Sequence, residues 1–136
     1  MSNFKGLAHI GLFTDDIEKS KKFYIENLGF EFMYETVLDK PDNQWLKLSF
    51  INLNGMIIEF LQNSDVTKNK KGNDGCVDHL TIEVKNLNEI VSNLKAKGIT
   101  FETDEPIKLE KLFNGAQVIF FRGPSGERLE LFEFLG

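Results

Sequence analysis

Cysteine is nearly absent: the one thiol, Cys76, cannot close an internal disulfide, and such sparing use fits a reducing compartment. Cationic side chains are in deficit, 16 Lys and Arg against 21 Asp and Glu, for a formal charge of -5. That balance excludes nucleic acid as the expected partner, because phosphate recognition needs concentrated Lys and Arg. No apolar run approaches the roughly 18 residues of a membrane span. "MSNFKGLAHI" also lacks the charged start and apolar core of a signal peptide, so a cytoplasmic protein with no membrane partner is expected. Tyrosine and tryptophan are scarce, two and one, so the rings come from 13 phenylalanines that line a core or a pocket. The remainder, 41% hydrophobic and 27% charged, is ordinary for a soluble globular chain. At 136 residues it reads as one domain, a size able to bury roughly 65–70% of its unfolded surface.

Histidine is scarce as well, and its two copies are not scattered. When "LAHIGLFTDDIEKSKKFY" from Leu7 is laid over "VDHLTIEVKNLNEIVSNL" from Val77, His9 falls on His79. Ile10 and Leu12 then match Leu80 and Ile82, a period-two pattern that predicts a half-buried strand. Each histidine lies on the strand face opposite those aliphatics. A helix follows in each copy. Asp15 or Asp16 caps the first, and Asn86 or Asn88 the second. The apolar positions are Ile17, Tyr24 and Leu28, then Leu87, Val91 and Leu94, with Gly29 and Gly98 as terminators. Three strands complete each half, near 30–37, 45–53 and 56–62, then near 99–103, 116–122 and 128–134. The last two of each set form a hairpin, at Asn54-Gly55 in "NLNG" and more loosely at Ser125-Gly126 in "GPSG".

The fold class is therefore α+β, two tandem βαβββ modules within one domain over 1–136. Module one covers 5–62, the polar linker "NSDVTKNKKGNDG" covers 63–75, and module two covers 76–136.

Each module's last strand carries a carboxylate where burial is expected. Glu59 in "NLNGMIIEF" and Glu130 in "GPSGERLELF" both lie four residues past a turn glycine, with Phe50 and Phe121 five residues before it. An unpaired charge on such a strand costs several kcal/mol or forces its own neutralisation. Two βαβββ modules ordinarily wrap their sheets around a shared cleft, which would bring His9, Glu59, His79 and Glu130 together. Two imidazoles and two carboxylates suit a divalent ion, and coordination makes buried carboxylates tolerable. Taken singly, a strand histidine is more often a satisfied core or surface residue, and an edge glutamate usually faces water. Four such residues at matched repeat positions favour the metal reading.

Other residues carry weaker signals. Cys76 reads better as a small buried hydrophobe than as a ligand. Glu83 shares the strand face of His79, as cleft lining or as a solvated position. Lys68, Lys70 and Lys71 hold an anionic substrate tail or form a solvated loop. Phe13, Phe60, Phe132 and Phe134 line the cleft or fill a core, and alternation does not decide between these.

The stretches "LAHIGLFTDDIEKSKKFYIENLGF", "VDHLTIEV" and "FFRGPSGERLELFE" together resemble the vicinal oxygen chelate superfamily, the fold of glyoxalase I, bleomycin-resistance proteins and extradiol dioxygenases. The chain looks like the groups that keep all four ligand positions. Those are the short bacterial glyoxalase I enzymes and, with glutamine or glutamate at the first carboxylate position, the methylmalonyl-CoA epimerases. The resemblance implies His9, Glu59, His79 and Glu130 as metal ligands, with zinc or nickel first and cobalt, iron or manganese next. It implies a lyase or isomerase that moves a proton through a metal-stabilised enediolate of a hemithioacetal or similar alpha-hydroxycarbonyl compound. Lewis-acid stabilisation of that kind is worth several kcal/mol, and a carboxylate shuttle roughly 10²–10⁴ in rate. By the same resemblance Glu130 is the first choice for the shuttle and Glu59 the second.

Substrate markers are mixed. Phe13 stands where short glyoxalase I enzymes place an arginine for the glutathione carboxylate. Asn63 matches the asparagine that follows the first metal glutamate by four residues. A homodimer is common in the superfamily, with sites inside one chain or between two. Two alternatives stand beside the glyoxalase reading. One is an epimerase of the methylmalonyl-CoA type, with the linker lysines serving CoA phosphates. The other is a non-catalytic binder of an antibiotic or hydrophobic ligand, suggested by the Phe-rich strands. Dioxygen chemistry is disfavoured because four protein ligands leave few open coordination positions.

Overall fold

The computed structural model describes Asn3, residues 7–70 and residues 77–136. The chain divides into two compact units, Met1–Lys71 and Gly72–Gly136, the boundary falling within the 63–75 stretch. Cys76 and Lys71 lie outside the described residues.

The first unit runs β1 (Ile10–Phe13), α1 (Ile17–Leu28), β2 (Glu31–Lys40), β3 (Gln44–Leu53) and β4 (Met56–Asn63), followed by a 3₁₀ turn at Val66–Lys68. Its sheet order is β1-β4-β3-β2, with β1 parallel to β4 and the other pairs antiparallel. The second unit repeats the plan with β5 (Leu80–Glu83), α2 (Leu87–Ala96), β6 (Ile107–Leu109), β7 (Ala116–Arg122) and β8 (Arg128–Phe134), in the order β5-β8-β7-β6. This is the α+β, tandem βαβββ architecture.

Each helix covers one face of its own sheet. In α1, Ile17, Ser20 and Tyr24 are buried, and the Tyr24 ring packs on Phe30 and Phe60 at centroid distances of 5.4 and 5.2 Å. Leu28 is only half-buried. In α2 the buried residues are Leu87, Val91 and Leu94, the expected stripe. Burial of such side chains contributes about 1.5–3 kcal/mol each.

The helix starts are capped from inside and from the sheet. Asp16 Oδ1 accepts from Lys19 N at 3.1 Å, which selects Asp16 over Asp15, and Gln62 Oε1 on β4 accepts from Ile17 N at 2.8 Å. At α2 the Asn86 side chain makes no cap hydrogen bond. Glu133 on β8 instead accepts from Asn86 N at 2.8 Å and from Leu87 N at 3.2 Å. α2 ends in a Schellman arrangement. Ile99 N donates to Leu94 O and Gly98 N to Lys95 O, both at 3.0 Å, with Gly98 at φ 90.

Besides the cap of α2, one expectation needs correction. The strand near 99–103 is reduced to a single bridge, Phe101 opposite Phe121, and the edge strand proper starts at Ile107. The reason lies in "TDEP". Pro106 has no N–H to give to a ladder, the Thr103 hydroxyl donates to Glu105 O at 2.9 Å, and Lys95 Nζ donates to Asp104 O at 2.7 Å. The two hairpins differ in register. Asn54 and Gly55 form a two-residue turn at φ 50 and 93, so Leu53 opposes Met56 and Phe50 opposes Glu59. The second hairpin turns through Gly123 to Glu127, so Arg122 opposes Arg128 and Phe120, not Phe121, opposes Glu130. Phe121 is 1% exposed and lies on the other face of its strand.

Candidate functional site

In the first unit the parallel register sets Gly11 beside Glu59, and strand alternation puts His9, Gly11 and Phe13 on the sheet face of Glu59, Leu61 and Asn63. His9 Nε2 lies 3.3 Å from Glu59 Oε1. The His9 ring stands edge-on to Phe50, at 5.6 Å and 87°. A Cβ on Gly11 would lie 3.1 Å from Leu61 Cδ1 and 3.5 Å from Glu59 Oε1, so the carboxylate rests against a strand without a side chain there.

The second unit builds the same pair. Thr81 sits beside Glu130, His79 Nε2 lies 3.2 Å from Glu130 Oε1, and the His79 ring stands edge-on to Phe120 at 5.5 Å and 89°. Here the pair is tied down further. Thr81 Oγ1 donates to Glu130 Oε1 at 2.7 Å. On the far side of the ring His79 Nδ1 is 2.7 Å from Asp78 Oδ2, which also accepts from Arg128 Nη1 at 3.1 Å. Arg128 forks onto Glu102 through Nε and Nη2, at 3.0 and 2.9 Å, and lies over the Phe120 ring at 3.9 Å. Its fork holds the Glu102 carboxyl below the ordinary carboxylate range, and the hydrogen bond with His79 does the same for Asp78, with help from Arg128.

The four expected ligands thus meet as two pairs, one in each unit. Among the described residues no group of three or more His, Cys, Asp or Glu side chains capable of holding a metal is assembled. A cation fixes the spacing of the donors around it. Metal–ligand bonds of about 2.1 Å put neighbouring donors roughly 3.0–3.4 Å apart in octahedral or tetrahedral geometry, and the observed separations are 3.3 and 3.2 Å. Asp78 engages Nδ1 of His79, which leaves Nε2 as the ring nitrogen facing Glu130. A proton on Nε2 or a cation between the two groups would each join imidazole to carboxylate at that distance. Imidazole nitrogen with carboxylate oxygen is a donor set that fits a divalent metal.

The remaining sequence candidates separate cleanly. Phe13 is half-buried on the face of His9. Asn63 also lies on that face, but its Nδ2 and backbone N both donate to Asn69 Oδ1, at 3.0 and 2.9 Å. Asn69 is buried and donates in turn to Asp15 Oδ1 at 2.9 Å, so Asn63 helps to fix the segment after β4. Phe60 faces the helix, 1% exposed against Tyr24, and is core. Phe132 and Phe134 line the face of Glu130, with ring centroids 4.9 Å apart, and Phe113 packs on both at 6.1 and 5.2 Å. Glu83, Lys68 and Lys70 are exposed.

Sequence reasoning missed the residues behind the pairs. Gln62 and Glu133 each stand three residues after their unit's glutamate, on the helix-facing side, and cap the helices. That matched offset was available as a signal. Asp78 and Thr81 flank His79 at places where the first module has Ala8 and Gly11, a difference visible on aligning the two strands.

Residues 6–131 match the family model of the Glyoxalase/Bleomycin resistance protein/Dioxygenase superfamily. The uncharacterized protein YwkD of Bacillus subtilis (strain 168) is 36% identical over 131 residues, 95% of this chain and 97% of YwkD. Mitochondrial methylmalonyl-CoA epimerase of Mus musculus is 32% identical over 107 residues, 73% of this chain and 57% of that protein. Among solved structures, the glyoxalase family protein from Enterococcus faecalis aligns with a TM-score of 0.72 at 25% identity, covering 96% of this chain and 98% of that one.

Proposed function

Because the chain belongs to the glyoxalase/bleomycin resistance protein/dioxygenase superfamily, we propose that it is a divalent-metal-dependent lyase or isomerase of the glyoxalase I type. It would move a proton between adjacent carbons of a hemithioacetal or similar alpha-hydroxycarbonyl substrate. The observation that carries this reading is the doubled His–Glu pair, one in each unit and each at ligand-edge spacing. His9, Glu59, His79 and Glu130 are the proposed ligands, supplied by one chain or by two copies in a homodimer. A bound cation, with zinc or nickel as first candidates, would supply Lewis-acid stabilisation of charge on the substrate, an effect worth several kcal/mol.

The protein's own groups do the rest. His9 and His79 keep Nε2 turned to the carboxylates. One of Glu59 and Glu130 takes the proton alpha to the carbonyl and returns it to the next carbon, a contribution of roughly 10²–10⁴ in rate. Phe13 and Asn63 share the face of His9 and Glu59 and are the proposed contacts to the substrate body. Asn63 offers its side-chain oxygen, since its nitrogen is engaged with Asn69. Phe132 and Phe134 give the face of Glu130 an apolar continuation that shields it from water.

The 32% identity to a methylmalonyl-CoA epimerase favours a second reading, proton transfer at the alpha carbon of an acyl-CoA. Exposed Lys68 and Lys70 would then meet CoA phosphates. An anaerobic assay of the metal-reconstituted protein separates the two. Methylglyoxal is offered with glutathione, CoA and other thiols, methylmalonyl-CoA is offered alone, and proton exchange at carbon is followed by NMR. Isomerisation of a hemithioacetal supports the first reading and exchange confined to the CoA thioester the second. Absence of both, with metal bound, overturns each.

A further inference from the structure

The two halves of the proposed site are alike in their ligands and unlike in what stands behind them. His79 is backed by Asp78 at 2.7 Å, and Asp78 is held by Arg128, which is clamped by Glu102 and seated on Phe120. Glu130 is backed by the Thr81 hydroxyl at 2.7 Å. At the matching places the first module has Ala8 and Gly11, neither of which carries a polar side chain. The residue matching Arg128, two before the glutamate, is Ile57. Glu59 is also less deeply placed than Glu130, its side chain 15% exposed against 11%, and His9 is 42% exposed against 33% for His79.

We infer that this asymmetry divides the labour. His79 and Glu130 form the fixed half that keeps the cation, and Glu59 is the carboxylate that lets go and carries the proton. The inference rests on the metal-dependent reading above and reverses the order that family resemblance alone suggests for the two glutamates. A carboxylate that must leave and return is freer to do so where no neighbouring side chain holds it. Glu130 Oε1 accepts from Thr81, which restrains the side chain. No side chain at Gly11 restrains Glu59 in this way. A ligand imidazole whose second nitrogen donates to a carboxylate is better oriented and more electron-rich, and partners of this kind are worth roughly 10–100-fold in metal affinity. Asp78 and Thr81 are therefore positioning residues, acting through His79 and Glu130.

The test is titration of chelator-stripped full-length protein with Co²⁺, read by its visible absorption and by calorimetry, with no turnover required. Wild type should bind stoichiometrically. Glu59→Gln should keep the ion within about 10-fold of wild-type affinity, while Asp78→Asn and Thr81→Val each weaken it by roughly 10–100-fold. Thr81→Ser should restore the affinity, which a purely steric role for Thr81 would not. Glu130→Gln should lose the ion far more than Glu59→Gln does. Equal losses in the two glutamine variants, or unchanged affinity in Asp78→Asn and Thr81→Val, overturn the inference and leave the metal reading standing. A wild-type protein that takes up no Co²⁺ overturns both.

Discussion

Removal of Glu133 tests whether the strand-to-helix caps hold the second unit together. Its carboxylate accepts from Asn86 N, Leu87 N and Gln117 Nε2, at 2.8, 3.2 and 2.7 Å. In Glu133→Ala, water can reach the exposed Asn86 N–H. Leu87, 0% exposed, and Gln117, 6% exposed, are left with donors that water reaches poorly. Loss of a cap costs about 1 kcal/mol and a stranded buried donor about 1–3 kcal/mol. Since the three bonds share one acceptor and do not add, the expected loss is about 2–4 kcal/mol. For a chain of this length that corresponds to a fall in Tm of roughly 7–14 °C. Gln62→Ala, which removes only the neutral acceptor of Ile17 N, should cost about 1 kcal/mol.

The pH dependence separates the caps further. Donation from the Gln117 amide first, and from Asn86 N and Leu87 N next, holds the Glu133 carboxyl below its ordinary value of 4.5. Its stabilising contribution is therefore complete above that value and is lost as pH falls through the lowered native one. Urea unfolding of wild type, Glu133→Gln and Gln62→Ala at about pH 7 and about pH 4 reads this out. The gap between wild type and Glu133→Gln should narrow in acid, while the gap to Gln62→Ala stays constant. A Glu133→Ala variant within about 0.5 kcal/mol of wild type, or a wild-type to Glu133→Gln gap independent of pH, would refute the reasoning.

Two further outcomes follow from packing and backbone geometry. Phe30→Ala empties a site 2% exposed beneath the Tyr24 ring, and should cost about 3–5 kcal/mol in chemical unfolding; a loss under about 1 kcal/mol would show that the first unit collapses to refill it. Gly55→Ala places a side chain at φ 93 in the Asn54-Gly55 turn and should cost about 1–2 kcal/mol, whereas an unchanged Tm would mean that the turn adopts another form.

The parts legible in the sequence were those where local pattern and burial agree. Strands β7 and β8 fall at 116–122 and 128–134 as alternation placed them, α1 starts at the Asp16 cap, and Gly29 and Gly98 stop the helices at positive φ, whereas α2 is capped by Glu133 and not by the Asn86 or Asn88 side chain. Reading failed where a short polar segment competed with the ladder, as "TDEP" did at 103–106. Spacing from the turn glycine also does not disclose that the two loops differ: the five-residue turn after Arg122 makes Phe120 the partner of Glu130.

The candidate ligands were legible for a different reason, namely that they recur. A doubled sequence advertises what its two copies share, so His9 with His79 and Glu59 with Glu130 stand out at once. The same habit of reading hides what the copies do not share. Asp78 and Thr81 do not stand out when the modules are matched because nothing in the first module answers to them, yet each makes a 2.7 Å contact with the pair it backs. Two chemically identical carboxylates can take different roles only if their surroundings differ. In a duplicated fold, therefore, the ligands are found by matching the halves, and the division of work between them by locating where the match breaks.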